Sequence, residues 1–81
     1  MNTERSALRG ERAVNEHKLK ELKQRALGMR ELLRLELPAY LDVANIDEEK
    51  VTVYSTQLTA LVTEIKATME TLKHIEDQLD G

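Results

Sequence analysis

A seven-residue repeat of apolar side chains constrains the fold of this 81-residue chain more than any other feature. In the C-terminal half, one series begins at Val51, and a second begins three residues later and contains a single polar member, Thr68. The apolar members of the two series are Val51, Leu58, Ile65, Leu72 and Leu79, and Tyr54, Leu61 and Ile75. Residues spaced alternately three and four apart form one stripe along an α-helix. The repeat therefore predicts a helix over about 46–80 that packs against another helix.

The stretch VTVYSTQLT at 51–59 resembles a β-strand when it is taken alone, because β-branched residues dominate it. The alternation stops after a few residues, however, and no other segment offers a partner strand to satisfy the backbone groups. The longer repeat decides in favour of a helix. Two N-terminal signals fit its start: Asn45 and Glu48 form a capping-box pattern, and Asp47 is an alternative cap.

The N-terminal half carries a second, weaker heptad pattern. Its positions are Leu19, Ala26 and Leu33 in one series and Leu8, Leu22 and Met29 in the other, with Arg12 and Asn15 as polar members. These series predict a helix over about 3–36. Pro38 ends it, because the residue before a proline is disfavoured in the helical region. Residues 37–46 form the connection, with a short helical turn expected at 39–42.

Two helices of similar length joined by a short connection predict an all-α antiparallel two-helix hairpin and a single domain over residues 1–81. Each helix would be roughly 50 Å long at 1.5 Å per residue. In this arrangement Asn15 and Thr68 fall at nearly the same height and form a polar pair in the seam. Replacing both by leucine is expected to raise the melting temperature.

One seam does not enclose a core, so a chain of this size is expected to bury more apolar surface by association. Val62 and Met69 widen the stripe of the second helix beyond the seam. We expect dimerisation into a four-helix bundle with two-fold symmetry. The predicted packing and oligomer interface comprises Leu19, Leu22, Met29, Leu33, Val51, Leu58, Leu61, Val62, Ile65, Met69, Leu72 and Ile75.

The end of the hairpin at the connection is unusually apolar. The residues concerned are Leu32, Leu35, Leu37, Tyr40 and Leu41. Two interpretations stand. In the favoured one the connection folds back and covers the leucines, with Val43 and Ile46 contributing. In the other the tip is a patch that contacts a partner.

Charge is distributed unevenly along the chain. Residues 1–36 contain nine Lys and Arg against six Glu, whereas residues 37–81 contain three against nine Asp and Glu. The favoured interpretation is mutual attraction of the halves within the fold, with cations beside the seam meeting glutamates such as Glu64. These cations are Lys18, Lys23, Arg25 and Arg30. Nucleic acid is the less favoured partner, because glutamates interleave with the basic residues and no aromatic residue stands ready to stack on bases.

The sequence offers no catalytic, cofactor-binding or metal constellation. His17 and His74 are the two histidines, and cysteine is absent. No stretch approaches the ~18 apolar residues of a membrane span. The expectation is therefore a cytoplasmic, non-enzymatic interaction or oligomerisation module, acting as an adaptor, chaperone or assembly subunit. Its expected partners are itself and a helical client. The alternative is a small regulator that contacts nucleic acid through the basic first helix.

Overall fold

The computed structural model describes residues 2–81, with side-chain surroundings from residue 3 onward, and confirms the all-α antiparallel hairpin. Helix α1 spans Asn2–Glu36 and helix α2 spans Glu48–Asp80. A single 3₁₀ turn, Val43–Asn45, lies between them. Within residues 2–81 there is no strand, and residues 51–59 are helical throughout. The predicted bounds of 3–36 and 46–80 were therefore within two residues of the observed ones.

The two helices pack along the predicted seam. In α1 the buried and half-buried positions recur alternately three and four residues apart, from Leu8 to Glu36. In α2 the buried residues are Leu61, Thr68, Leu72, Ile75 and Leu79. In α1 only Leu22, at 4% exposure, is buried to the same degree. The core is therefore one side chain thick, and most of its residues keep some contact with water.

The connection is fixed by short-range hydrogen bonds. The backbone N–H of Leu41 donates to the carbonyl oxygen of Pro38 (3.0 Å), which closes a turn at 38–41. The carboxylate of Asp42 then accepts from the N–H of Ala44 (2.9 Å) and starts the 3₁₀ turn. The predicted helical turn at 39–42 is therefore wrong in position, because proline closes a turn at 38–41 and Asp42 caps the residues that follow.

Asp47 is the N-cap of α2. Its backbone is extended, and its carboxylate accepts a hydrogen bond from the N–H of Lys50 (3.1 Å). Glu48 and Glu49 occupy the first turn, where the helix dipole favours negative charge. Of the two predicted caps, the one at Asp47 is confirmed, and α2 therefore begins at residue 48 rather than 46.

The hairpin is a rod of 63 × 18 × 15 Å with a radius of gyration of 18.3 Å. A compact chain of this length would have a radius of gyration of about 12 Å. The accessible surface is 6399 Å², whereas a compact monomer of the same mass would expose about 5,000 Å². The fold thus leaves roughly 1,400 Å² more surface in water than is usual for its size.

Candidate interaction surface

Most of the predicted interface residues are already used inside one hairpin. Eleven of the twelve are buried or half-buried by contact between α1 and α2. The exception is Met69, which is 50% exposed. A surface for a second molecule must therefore lie on the flanks of the seam or at the tip, because the seam residues already contact each other within one hairpin.

Each of the two polar residues in the seam donates a side-chain hydrogen bond to a backbone carbonyl oxygen of its own helix. The Thr68 side chain is 3% exposed, and its hydroxyl donates to the carbonyl oxygen of Glu64 (2.8 Å). The half-buried Asn15 donates from Nδ2 to the carbonyl oxygen of Glu11 (2.8 Å). Two contacts join the helices near either end of the rod, Arg5 with Leu79 and Glu36 with Lys50. Counted from these contacts, Asn15 and Thr68 lie at the same height to within about one helical turn. Their joint role in specifying the seam stays a prediction.

Arg5 links α1 to α2 at the open end of the hairpin, and the sequence analysis did not predict this role. Its Nη2 donates a hydrogen bond to the carbonyl oxygen of Leu79 (2.8 Å) in the last turn of α2. Carbonyl groups in a last helical turn have no partner within the helix, and the dipole there favours a cation. A signal was present in the sequence, because Arg5 stands seven residues before Arg12 and continues the same heptad series.

Ion pairs do not follow the predicted pattern. Within the described residues, one pair joins the two helices, Lys50 Nζ to Glu36 Oε1 at 3.8 Å. The remaining pairs lie one turn apart on the same helix: Arg12–Glu16, His17–Glu21, Arg34–Glu31 and His74–Glu70. The expected pairing of the basic seam residues with Glu64 does not occur. Arg25 and Glu64 in particular both remain without an ion-pair partner in this part of the chain.

The tip is exposed rather than covered. Tyr40 is 91% exposed and Val43 is 81% exposed, so the favoured prediction that they cover the leucines is wrong. The turn at 38–41 and the Asp42 cap direct these two side chains outward. Leu41 and Ile46, the other two residues expected to cover the leucines, are half-buried. Leu35 is 70% exposed, and Leu32 and Leu37 are each 42% exposed. An apolar patch therefore remains at this end.

A groove runs along one flank of the seam in the tip half of the rod. We call it the Gly28 groove, and it is lined by Arg25, Gly28, Met29, Leu32, Gln57, Ala60, Leu61 and Glu64. It is open because Gly28 and Ala60 present little or no side chain, and a Cβ at Gly28 would meet no atom within 4 Å. By helical spacing, Leu35 and Val53 extend the same apolar side towards the tip.

A second groove lies on the opposite flank. We call it the Leu27 groove, and it is lined by Lys23, Ala26, Leu27, Arg30, Leu58, Val62 and Ile65. Its floor is apolar, but both charged residues in its lining are cations. Lys66 is exposed one turn beyond Val62, and Met69 lies two turns beyond it, on the same side. The flank that the sequence singled out, Val62 and Met69, therefore belongs to the more basic side.

The histidines do not assemble a site with each other. His17 Nε2 lies 3.2 Å from Glu21 and His74 Nε2 lies 3.6 Å from Glu70, each on its own helix and exposed. Residues 2–81 contain no group of three or more potential ligand side chains that would hold a metal ion. Neither of the two described helices has a segment apolar enough, over sufficient length, to traverse a membrane.

Comparisons of the chain with protein-family models, with curated proteins and with solved structures found no match in any of the three.

Proposed function

We propose that this chain is a non-enzymatic helical interaction module that works by burying helix faces against other helices, first of all those of a second copy. In this role it serves as an adaptor, a chaperone or an assembly subunit. The proposal places a homodimer with four helices in contact as the working form. A helical client is a further partner that the same kind of surface would accept.

The observation that carries this proposal is the surplus of exposed surface, which includes several large apolar side chains. An ordinary protein interface buries about 800 Å² on each partner, which is less than the roughly 1,400 Å² by which this rod exceeds a compact monomer. Large apolar side chains contribute to that surplus on both helices, with Leu35 at 70% and Val53 at 45% exposure. Association along the length of the rod would bury them without any change of fold.

The concentration dependence of the melting temperature tests the proposal. Because a dimer is stabilised by mass action, we expect the transition followed by circular dichroism to move upward by several degrees over about a hundredfold rise in protein concentration. A melting temperature that stays constant over that range would contradict self-association. A client alone would then be left as the partner.

A second candidate function is contact with nucleic acid through α1. The observation that favours it is the basic rim of the Leu27 groove, where Lys23, Arg30 and the neighbouring Lys66 lie on one flank. Binding of this kind weakens steeply between low and physiological salt because counterions are released from the phosphates. A fluorescence titration with duplex and single-stranded oligonucleotides would detect it. The absence of binding at low salt would remove this candidate.

A further inference from the structure

We infer that the second copy docks on the Gly28 groove, with its tip at the same end of the rod, so that α1 of each chain lies against α2 of the other. The inference rests on the proposed self-association and adds the face and the orientation. In the resulting bundle every helix is antiparallel to both of its neighbours. The two-fold axis runs parallel to the rod.

Charge selects the Gly28 groove over the Leu27 groove. A two-fold interface places the same patch of both chains in contact. Through the Leu27 groove, two sets of Lys23, Arg30 and Lys66 would meet, and like charges brought together in an interface are costly. The Gly28 groove carries one charge of each sign, Arg25 on α1 and Glu64 on α2. Neither forms an ion pair within the described part of its own chain.

The orientation follows from where the charges and the apolar residues lie. With both tips at one end, Arg25 of each chain lies on the helix that faces the partner's Glu64, and the two differ in height by about one helical turn. The opposite orientation would bring α1 against α1 and α2 against α2, which pairs regions of like net charge. It would also place the apolar tip half against the other half of the rod, where this flank carries the polar residues Glu21 and Thr71 beside a single large exposed apolar residue, Val14. The same-end arrangement instead brings Leu32 level with the partner's Val53, since the contacts Arg5–Leu79 and Glu36–Lys50 set the heights of the two helices.

A matched set of glutamate substitutions tests the face. Ala60 and Thr63 are both exposed on α2, three residues apart, but only Ala60 lines the Gly28 groove. We expect Ala60→Glu to raise the dimer dissociation constant at least about tenfold, because its side chain would fill the groove and add a second carboxylate one turn from Glu64, where the groove holds one cation, Arg25. Thr63→Glu should leave the dissociation constant unchanged. Circular dichroism should show both variants to be helical hairpins.

Leu27→Glu provides the comparison for the other flank, since Leu27 is 49% exposed and lines the Leu27 groove. The inferred face predicts little effect of this change on dimerisation. Loss of the dimer in Leu27→Glu together with retention in Ala60→Glu would overturn the inference and favour the flank of Val62 and Met69.

Distances between spin labels test the orientation. The chain has no cysteine, so a single label can be introduced cleanly at the tip with Ala44→Cys or near the other end with Asp77→Cys. With helix axes 8–10 Å apart, same-end docking places the two labels of either variant within about 35 Å. Opposite docking separates the Asp77→Cys labels by about the length of the 63 Å rod or more.

The outcomes of the labelling experiment are distinguishable. Short distances for both variants support the inferred dimer. A long distance between the Asp77→Cys labels overturns the orientation and leaves self-association intact. The absence of any coupling between labels, together with a monomeric mass, overturns the inference and the proposed function together.

Discussion

At the scale of single residues, Thr68 is the most telling position, because it is the least exposed polar residue of the seam at 3%. Its hydroxyl donates to the carbonyl oxygen of Glu64 on its own helix and makes no hydrogen bond across the seam. When the hydroxyl is removed, the carbonyl oxygen of Glu64 keeps its backbone partner within α2, so no buried polar group is left unsatisfied. We expect Thr68→Val to raise the free energy of unfolding by up to about 1 kcal/mol.

The matched control for this prediction is Thr63→Val. The Thr63 hydroxyl donates to the carbonyl oxygen of Thr59 (3.0 Å) in the same way, but on the exposed face. An exposed substitution of this kind should change stability by less than about 0.5 kcal/mol. Urea unfolding measures both variants. A loss of more than about 1 kcal/mol in Thr68→Val alone would mean that the hydroxyl supports the fold.

At the scale of elements, the open end of the hairpin depends on a contact between the first turns of α1 and the last turn of α2. Arg5 makes it by donating to the carbonyl oxygen of Leu79. We expect Arg5→Met to lower the free energy of unfolding by about 0.5–1.5 kcal/mol, because the carbonyl group loses its partner and the helix dipole loses its cation. Arg9→Met, one turn further on and exposed, is the control and should change little. Equal losses of unfolding free energy in both variants would show that the effect comes from the change in net charge and not from the hydrogen bond to Leu79.

The helices were predictable from the sequence because their signal is long and redundant. The repeat from Val51 to Leu79 extends over four heptads, so a single polar member at Thr68 does not obscure it. The connection was less predictable, because its path depends on two local hydrogen bonds, at Leu41 and Ala44. Heptad spacing carries no information about those. For the same reason the sequence did not show that Tyr40 and Val43 turn outward.

At the scale of the whole molecule, the surface for a partner was only partly visible in the sequence. The repeat identified the seam residues, but these residues pack against each other within one hairpin. Of the twelve predicted interface residues, Met69 alone stays exposed. The Gly28 groove arises where small residues of two different helices come level, namely Gly28 and Ala60. That coincidence depends on the register between the helices, which could be predicted from the sequence only to within a few residues. The tip leucines, by contrast, were recognised from the sequence as an apolar patch.

The central proposal, that this rod associates with its own kind, is tested most directly by its mass in solution. Sedimentation equilibrium of the full chain at increasing concentration should give a weight-average mass that rises from 9.3 kDa towards twice that value. It should level off there, because a two-fold interface closes on itself. A mass that stays at 9.3 kDa up to the highest attainable concentration would contradict the proposal.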